Sequence, residues 1–182
     1  MGMAAPIFYT AEMVRALPED GNRHETVRGE LLVTPAPRLW HEEIVVRLLL
    51  GLRQYLQAEP VGHAFGGRSD ISWGPDTLVE PDVFVAPFGE VRTLDWAQVK
   101  TLLLVIEVLS PSSRRADRFT KRIEYQRQNV PHYWIIDADD RQVEVWTPVD
   151  TFPTFERERL VWHPAGAARS FVISLEELFR PI

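Results

Sequence analysis

An apolar run that ends in an acidic residue and leads into a helix limits the folds open to this chain. Residues 102–106 are all apolar, and Glu107 follows them directly. Such a run is typical of a buried strand, in which a carboxylate without a partner is unfavourable. After Ser110-Pro111 the chain continues into a charged segment and then a second largely apolar run, residues 132–137. The pattern predicts a strand–helix–strand unit with parallel strands.

The connecting helix is predicted to begin at Ser112 or Ser113, because either serine can cap it. A rotation of about 100° per residue separates a polar face, with Asp117, Lys121, Glu124, Tyr125 and Gln128, from an apolar stripe of Ala116, Phe119 and Ile123. We expect the apolar stripe to pack and the polar face to carry chemistry. Glu107, Asp117 and Lys121 would then meet where the first strand ends.

Length and composition set broad bounds on the protein. With 182 residues, 45% of them hydrophobic, the chain can bury a core, and one domain over residues 1–182 is expected. The apolar runs are far shorter than the roughly 18 residues that span a bilayer, and the N-terminus lacks a signal-peptide pattern. A cytoplasmic protein without membrane contact is expected. Because the chain has no cysteine, any metal must be held by Asp, Glu or His.

The charge pattern is acidic overall but basic around the predicted helix. A net charge of −6 argues against binding nucleic acid through bulk electrostatics. Arg114 and Arg118 nevertheless lie close to Lys121, where they could meet an anionic substrate, although a solvated helix face gives the same pattern. Lys100 and Lys121 are the two lysines of the chain. A lysine on the polar face favours a role for a compact ammonium.

The remaining elements follow from periodicity and turn residues. We predict a capped helix over 10–17, a hairpin over 24–33 around Arg28-Gly29, and a long core helix over 39–58. A weak strand pattern over 61–73 is strongest at 70–73, and a strand over 79–85 contains Pro81-Asp82. Further strands are predicted at 141–146, 155–162 and 170–173, before a short helix that opens at Ser174.

Two carboxylates at the ends of neighbouring strands suit a divalent cation. Asp82 and Glu107 would hold Mg²⁺ or Mn²⁺. Water molecules and a substrate phosphate would complete the coordination of the ion. Lys121 would orient the attacking water or stabilise charge on the phosphorus. The helix start at Ser112-Ser113 adds backbone donors for a phosphate.

The residues that carry this pattern recur in one known family. In chain order they are Glu25, Gly29-Glu30, His41, Pro81-Asp82, 106–111, Asp117, Lys121, Tyr125 and 130–137. This order resembles that of the Uma-type restriction endonucleases, a branch of the PD-(D/E)XK nuclease superfamily. The resemblance implies an α/β (α+β) fold with a restriction-endonuclease-like core, a central mixed β-sheet flanked by helices. The N-terminal hairpin and the C-terminal edge strands would extend that core.

The resemblance also implies an activity and a site. It implies a magnesium-dependent endodeoxyribonuclease that hydrolyses phosphodiester bonds, with Asp82 and Glu107 as metal ligands. The superfamily pattern has a lysine two residues after the second acid, where this chain has Leu109, so Lys121 would supply the ammonium instead. Surrounding positions would be Glu25 or Glu30, His41, Asp117 and Tyr125. Independently of the resemblance, the helix start at Ser112 and Ser113 and the nearby Arg114 and Arg118 are candidates for binding phosphate. Nucleic acid, DNA in particular, is the expected partner, and a homodimer would suit cutting both strands of a duplex.

Two other interpretations stay open from the sequence. A catalytically silent relative could keep the nuclease fold as a binding or scaffold protein, and metal binding by Asp82 and Glu107 would discriminate. A serine hydrolase using Ser110 or Ser112 is disfavoured, because no G-x-S-x-G turn surrounds either serine.

Overall fold

Helices and strands alternate along the part of the chain that the structure, a computed structural model, describes, residues 8–182. The helices are α1 (Ala11–Arg15), α2 (Leu39–Ala58), α3 (Phe88–Val91), α4 (Arg122–Arg127), directly preceded by a π-helical turn (Ala116–Lys121), and α5 (Leu175–Leu178). The strands are β1 (Arg23–Val27), β2 (Glu30–Thr34), β3 (Gly62–Gly66), β4 (Ile71–Ser72), β5 (Leu78–Val79), β6 (Val83–Pro87), β7 (Leu104–Val108), β8 (Tyr133–Asp137), β9 (Gln142–Trp146), β10 (Thr154–Glu156), β11 (Arg159–Trp162) and β12 (Phe171–Ser174).

A six-stranded mixed sheet lies at the centre, in the order β10-β9-β8-β7-β6-β3. Strands β7 and β8 are parallel, with Val105 opposite Tyr133 and Val108 opposite Ile136, and the other neighbours are antiparallel. The helical segment 114–127 connects the two parallel strands, as a parallel pair requires. The predicted strand–helix–strand unit and mixed sheet are therefore confirmed.

Each face of the central sheet carries its own core. Buried Ile44, Leu48 and Leu52 of α2 pack with alternate residues of β6 and β7, such as Val83 and Ile106. On the other face, Phe84, Val105, Tyr133 and Ile135 of the strands are buried together with Tyr125 of the segment 114–127. Because side chains of a strand alternate between faces, Glu107 shares the second face with Val105. The predicted helix over 39–58 and its apolar stripe are confirmed.

The N-terminal hairpin begins a second sheet, ordered β2-β1-β5-β4. Arg28 and Gly29 form its turn with φ of 51° and 84°, as a two-residue turn with two left-handed residues requires. Helix α1 is capped by Thr10, whose Oγ1 accepts a hydrogen bond of 3.1 Å from the backbone N–H of Met13. The predicted hairpin and first helix are confirmed.

The predicted single strand over 79–85 is wrong, because the chain leaves one sheet and enters the other there. Strand β5 ends at Val79 and pairs with the hairpin, whereas β6 starts at Val83 in the central sheet. Pro81 cannot donate a backbone hydrogen bond to either sheet, so the break falls around it. Asp82 consequently lies at the junction of the two sheets. The expectation for 61–73 also needs correction, since the longer strand there is β3, at 62–66.

The orientation predicted for the helical segment 114–127 is also wrong. Phe119 and Ile123 are 58% and 39% exposed, while Asp117, Lys121 and Tyr125 are at most 1% exposed. Leaving an apolar side chain in water forfeits about 1.5–3 kcal/mol at most, whereas an unpaired buried charge costs several kcal/mol. The need of Glu107 for partners therefore decides which face turns inward.

The C-terminal part extends the fold on both sides of the sheet. The predicted single strand over 155–162 is wrong, because the chain breaks at 157–158: β10 is an edge strand of the central sheet, whereas β11 pairs with β12 in a separate two-stranded sheet. Ser174 caps α5 by accepting a hydrogen bond from the backbone N–H of Glu177. Within the described part of the chain, no helix is both long and apolar enough to cross a membrane.

Candidate functional site

Asp82 and Glu107 face each other across two antiparallel strands. The register pairs Val83 of β6 with Ile106 of β7, so the next residues outward are Asp82 and Glu107. The backbone N–H of Asp82 donates to Glu107 Oε2 at 3.3 Å, and that of Val108 donates to Asp82 Oδ2 at 2.8 Å. The backbone of each strand thus holds the carboxylate of the other.

Lys121 lies among three carboxylates. Its Nζ is 2.8 Å from Glu25 Oε1, 2.9 Å from Glu107 Oε1 and 3.7 Å from Asp117 Oδ1. Its side chain is 1% exposed, which rules out a solvated position. Burial would lower the pKa of Lys121, but the charges of Glu107 and Glu25 outweigh it and raise that pKa. The lysine therefore stays charged in the interior.

Tyr125 and Glu25 complete the surroundings of Glu107 and Lys121, respectively. Tyr125 donates its hydroxyl to Glu107 Oε1 at 2.9 Å. Glu25 comes from β1 and is fixed by the backbone N–H of Glu80, 2.8 Å from Glu25 Oε1. Of the two glutamates proposed from the resemblance, Glu25 is at the site. Glu30 is exposed, and its carboxylate lies 3.5 Å from Thr120 Oγ1.

Arg23 joins the site although sequence analysis did not identify it. Its Nη1 donates to Asp82 Oδ1 at 2.7 Å and to the carbonyl of Glu80 at 3.0 Å. His41 Nε2 lies 3.2 Å from the other oxygen of Asp82, Oδ2. The alternation of strand β1 was the available signal, because it puts Arg23 on the same side as Glu25.

We call these six residues the Lys121 cluster: Arg23, Glu25, Asp82, Glu107, Asp117 and Lys121. It contains four buried carboxyl groups and two cations, with His41 beside Asp82, so the carboxyl groups outnumber the permanent cations. Burial raises the pKa of Glu107 to about 8, with Lys121 opposing the shift and the charges of Asp82 and Asp117 adding to it. Burial also raises the pKa of Asp117 to about 6.

The pKa of Asp82 shifts in the opposite direction, and His41 is the main partner in that shift. Burial alone would raise the pKa of Asp82, but the hydrogen bond to His41 and the charge of Arg23 hold it below the ordinary value. Burial would lower the pKa of His41, but Asp82 raises it. Asp82 is therefore more firmly ionised than Glu107 and Asp117.

These residues fit a divalent cation bound by oxygen. Asp117 Oδ1 is buried and finds no hydrogen-bond partner in the described part of the chain, so the cluster has acceptors to spare. Within residues 8–182, no three Asp, Glu, His or Cys side chains are grouped so as to hold a metal ion by themselves. Mg²⁺ does not need such a cage, since it commonly takes one or two carboxylates and completes its shell with water and phosphate.

A cavity of about 300 Å³ opens beside Asp82. Its wall includes Arg23, His41, Arg68, Asp82 and Ser113. Polar and cationic groups thus face the space through which a ligand would approach Asp82. Ser113 receives a hydrogen bond of 3.1 Å from the backbone N–H of Ser110, and the hydroxyls of Ser110 and Ser112 are 3.0 Å apart.

The arginines of the same helical segment lie in a different group. Arg114 Nη1 and Arg118 Nη2 are 2.9 Å and 3.0 Å from Asp137 Oδ2, and Arg118 Nε is 2.5 Å from Glu144 Oε1. We call these four residues the Arg118 cluster. It pairs two cations with two buried carboxylates, and Arg114 Nη2 also lies 3.3 Å from Oδ2 of the exposed Asp139. The phosphate-binding role of Arg114 and Arg118 stays a prediction.

The fold and the site define a class: a restriction-endonuclease-like α/β protein with two acids at the ends of adjacent strands and a lysine beside them. A family model described as "Putative restriction endonuclease" matches residues 11–175, nearly the whole chain. The chain belongs to this Uma-type family, whose description indicates a nuclease.

A solved structure confirms the fold. The chain is similar to a protein from Anabaena variabilis ATCC 29413, described as a putative nuclease belonging to DUF820, with a TM-score of 0.78 and 21% sequence identity. The match covers 94% of this chain and 97% of the other. None of the curated proteins matches this chain.

Proposed function

We propose that the protein is a divalent-metal-dependent endonuclease that hydrolyses phosphodiester bonds in DNA. The observation that carries the proposal is the excess of buried carboxyl groups in the Lys121 cluster, beside a cavity whose wall includes Arg23, His41 and Arg68. Buried charges are normally paired, bound to metal or neutralised by a proton, and the raised pKa of Glu107, about 8, indicates a carboxyl that lacks a cation. Membership of a family described as restriction endonucleases supports the same chemistry.

Asp82 and Glu107 would hold Mg²⁺ or Mn²⁺. When bound, the ion would supply Lewis acidity toward a phosphate oxygen and make its coordinated water more acidic. The contribution of the chain is to fix both carboxylates before the ion arrives, through the backbone N–H groups of Asp82 and Val108. Such fixed ligands lose little freedom on binding, which favours a defined geometry.

Lys121 would stabilise negative charge that develops on the reacting phosphate. Its ammonium is 2.9 Å from Glu107 Oε1 and stays protonated because of its carboxylate neighbours. Glu25 and Asp117 hold the lysine from two further sides, and Tyr125 orients Glu107. These three residues position the groups that react.

Substrate phosphate would enter through the cavity. His41 and Ser113 lie on its wall, and we propose that Ser112, Arg114 and Arg118 assist at the adjoining helix start. A duplex has two strands to cut, so a homodimer remains our proposal for the assembly. The chain from 1 to 182 would act as one domain.

Cleavage of plasmid DNA tests the proposal. The wild type should nick and linearise DNA with Mg²⁺ or Mn²⁺ and be inactive with EDTA. Glu107→Ala should be inactive with either metal as well as with EDTA. DNA affinity should decrease as salt rises, because phosphate contacts release counterions. A wild type that cleaves neither DNA nor RNA, together with unchanged metal binding in Glu107→Ala, would favour a catalytically silent binding protein.

A further inference from the structure

The two cations of the Lys121 cluster differ in their access to the cavity. Among the described residues, the members of the cluster that line the cavity are Arg23 and Asp82. The side chain of Arg23 is 17% exposed, whereas that of Lys121 is 1% exposed. A phosphate that enters the cavity would therefore meet Arg23 before it could approach Lys121.

Arg23 occupies one particular oxygen of Asp82. Its Nη1 donates to Asp82 Oδ1 at 2.7 Å, while the other oxygen, Oδ2, receives the backbone N–H of Val108 and faces His41. Oδ1 has one partner and Oδ2 has two, so Oδ1 is the oxygen of Asp82 that can accept a further cation. A divalent ion on Oδ1 would lie within a few ångströms of the guanidinium, and the two positive charges would repel strongly in this low-dielectric setting.

The guanidinium of Arg23 also has a buried N–H donor without a hydrogen-bond partner. Arg23 Nε is buried and finds no hydrogen-bond partner among residues 8–182, with Glu25 Oε2 at 3.5 Å. Arginine carries five N–H donors, and its planar fork suits two oxygens of one phosphate. Better partners than the present ones would be available to Arg23 on a phosphate in the cavity.

We propose that Arg23 holds Asp82 in the metal-free protein and, when a divalent cation takes Asp82, transfers its guanidinium to a phosphate of the bound nucleic acid. Arg23 then has two successive partners, a carboxylate and a phosphate, and the exchange couples metal binding to substrate binding. This inference rests on the proposed function, because both the metal at Asp82 and the phosphate substrate come from it.

Mn²⁺ affinity, measured by calorimetry without nucleic acid, tests the first half of the exchange. Removing the competing cation in Arg23→Gln should tighten Mn²⁺ binding about tenfold or more. Arg68→Gln is the matched control, because Arg68 lines the same cavity but contacts Glu19 and the carbonyl of Asn22. Its Mn²⁺ affinity should change less than about twofold.

A second variant keeps the test possible if Arg23→Gln does not fold. If circular dichroism shows Arg23→Gln to be unfolded without metal, Arg23→Lys carries the test. A lysine keeps the charge but has one nitrogen and no fork, so it should hold Asp82 less firmly. Mn²⁺ should then bind Arg23→Lys about threefold more tightly than wild type.

Duplex binding in Ca²⁺, which also takes oxygen ligands, tests the second half. The slope of log affinity against log salt should be smaller in Arg23→Gln by about 0.9, the value for one lost phosphate contact. An arginine with a purely structural role would leave that slope unchanged.

The outcomes separate this inference from the proposed function. Tighter Mn²⁺ binding together with a smaller salt slope supports the exchange. Equal or weaker Mn²⁺ binding in folded Arg23 variants, with a wild type that binds Mn²⁺ and cleaves DNA, overturns the exchange alone. No Mn²⁺ binding in wild type or in any Arg23 variant overturns both.

Discussion

The helical segment 114–127 contributes cations to two charged clusters with different charge balance. The Arg118 cluster matches two arginines with two buried carboxylates, with the exposed Asp139 beside Arg114, and lies partly open, Arg118 being 25% exposed. The Lys121 cluster sets four carboxylates against two cations and is almost fully buried. Buried pairs of opposite charge need nothing further. An excess of buried carboxyl groups is tolerated when a ligand supplies positive charge or, without the ligand, when a proton neutralises one of them, as the raised pKa of Glu107 indicates. The comparison indicates that a candidate metal site differs from a structural group of ion pairs in its ratio of carboxyl groups to cations, more than in the number of charges it contains.

The largest contrast should come from neutralising one glutamate in each cluster. Glu107→Gln should lower the cleavage rate by about 10³-fold or more and abolish Mn²⁺ binding, because a metal ligand is lost. Glu144→Gln is the matched change in the Arg118 cluster, since Glu144 is also buried, at 5% exposure. It should leave Mn²⁺ affinity within about twofold. Equal losses of Mn²⁺ affinity in both variants would contradict the distinction between the clusters.

The next effect concerns the lysine. Lys121→Met should lower turnover by about 10²-fold or more, because the charge on the phosphate loses its partner. It should also lower the free energy of unfolding by about 3–5 kcal/mol, since three carboxylates lose their shared cation. Cleavage rate and urea unfolding would be measured with Lys100→Met as the control for lost charge. Equal turnover in wild type and both variants would show that Lys121 is not the catalytic ammonium.

A smaller effect is expected in the pH dependence of stability. The pKa of Glu107 is raised to about 8 and that of Asp117 to about 6, so the metal-free folded state binds more protons than the unfolded state between about pH 5 and 8. Stability must therefore decrease as pH rises through this range. The melting temperature in EDTA should fall by about 3 °C or more from pH 6 to pH 8.

Glu107→Gln supplies the control for the pH experiment, because a glutamine cannot ionise and the decrease should become smaller. Saturating Mn²⁺ should also reduce the decrease in wild type, by compensating the carboxylates. A melting temperature that rises from pH 6 to pH 8 in EDTA would mean that the crowding of carboxyl groups does not raise the pKa of Glu107 in the folded state.

The smallest effect should come from the Arg118 cluster. Arg118→Met should lower the free energy of unfolding by about 1–3 kcal/mol, because Glu144 loses a buried partner, and leave Mn²⁺ affinity within about twofold. Chemical unfolding and calorimetry measure the two quantities. The salt dependence of DNA affinity then decides the predicted phosphate role: a slope reduced by about 0.9 would show that Arg118 also binds a phosphate.

Strand-level features of the fold were accessible from the sequence. Apolar runs with an acid at the end predicted β7 and the position of Glu107, and the hairpin and α2 followed from periodicity and turn residues. The break between β5 and β6 was missed, because the apolar residues on either side of 80–82 were assigned to one strand although they belong to different sheets. Pro81 was the local signal for that break.

The interior of the site was less predictable. The two faces of the segment 114–127 were identified, but periodicity does not state which face is buried. Here the need of Glu107 for partners turned the polar face inward and left Phe119 exposed. Arg23 was missed because its contact with Asp82 joins residues far apart in sequence. Such contacts depend on how two sheets meet, which local patterns do not encode.

A Mn²⁺ soak of crystals tests the central claim most directly, because it shows the ion without knowledge of the substrate. The account predicts an anomalous peak with oxygens of both Asp82 and Glu107 at about 2.1–2.2 Å, and none at the Arg118 cluster. The peak should disappear in Glu107→Gln crystals and persist in Glu144→Gln crystals. An absent peak at saturating Mn²⁺, or a peak that contacts neither Asp82 nor Glu107, would contradict the account.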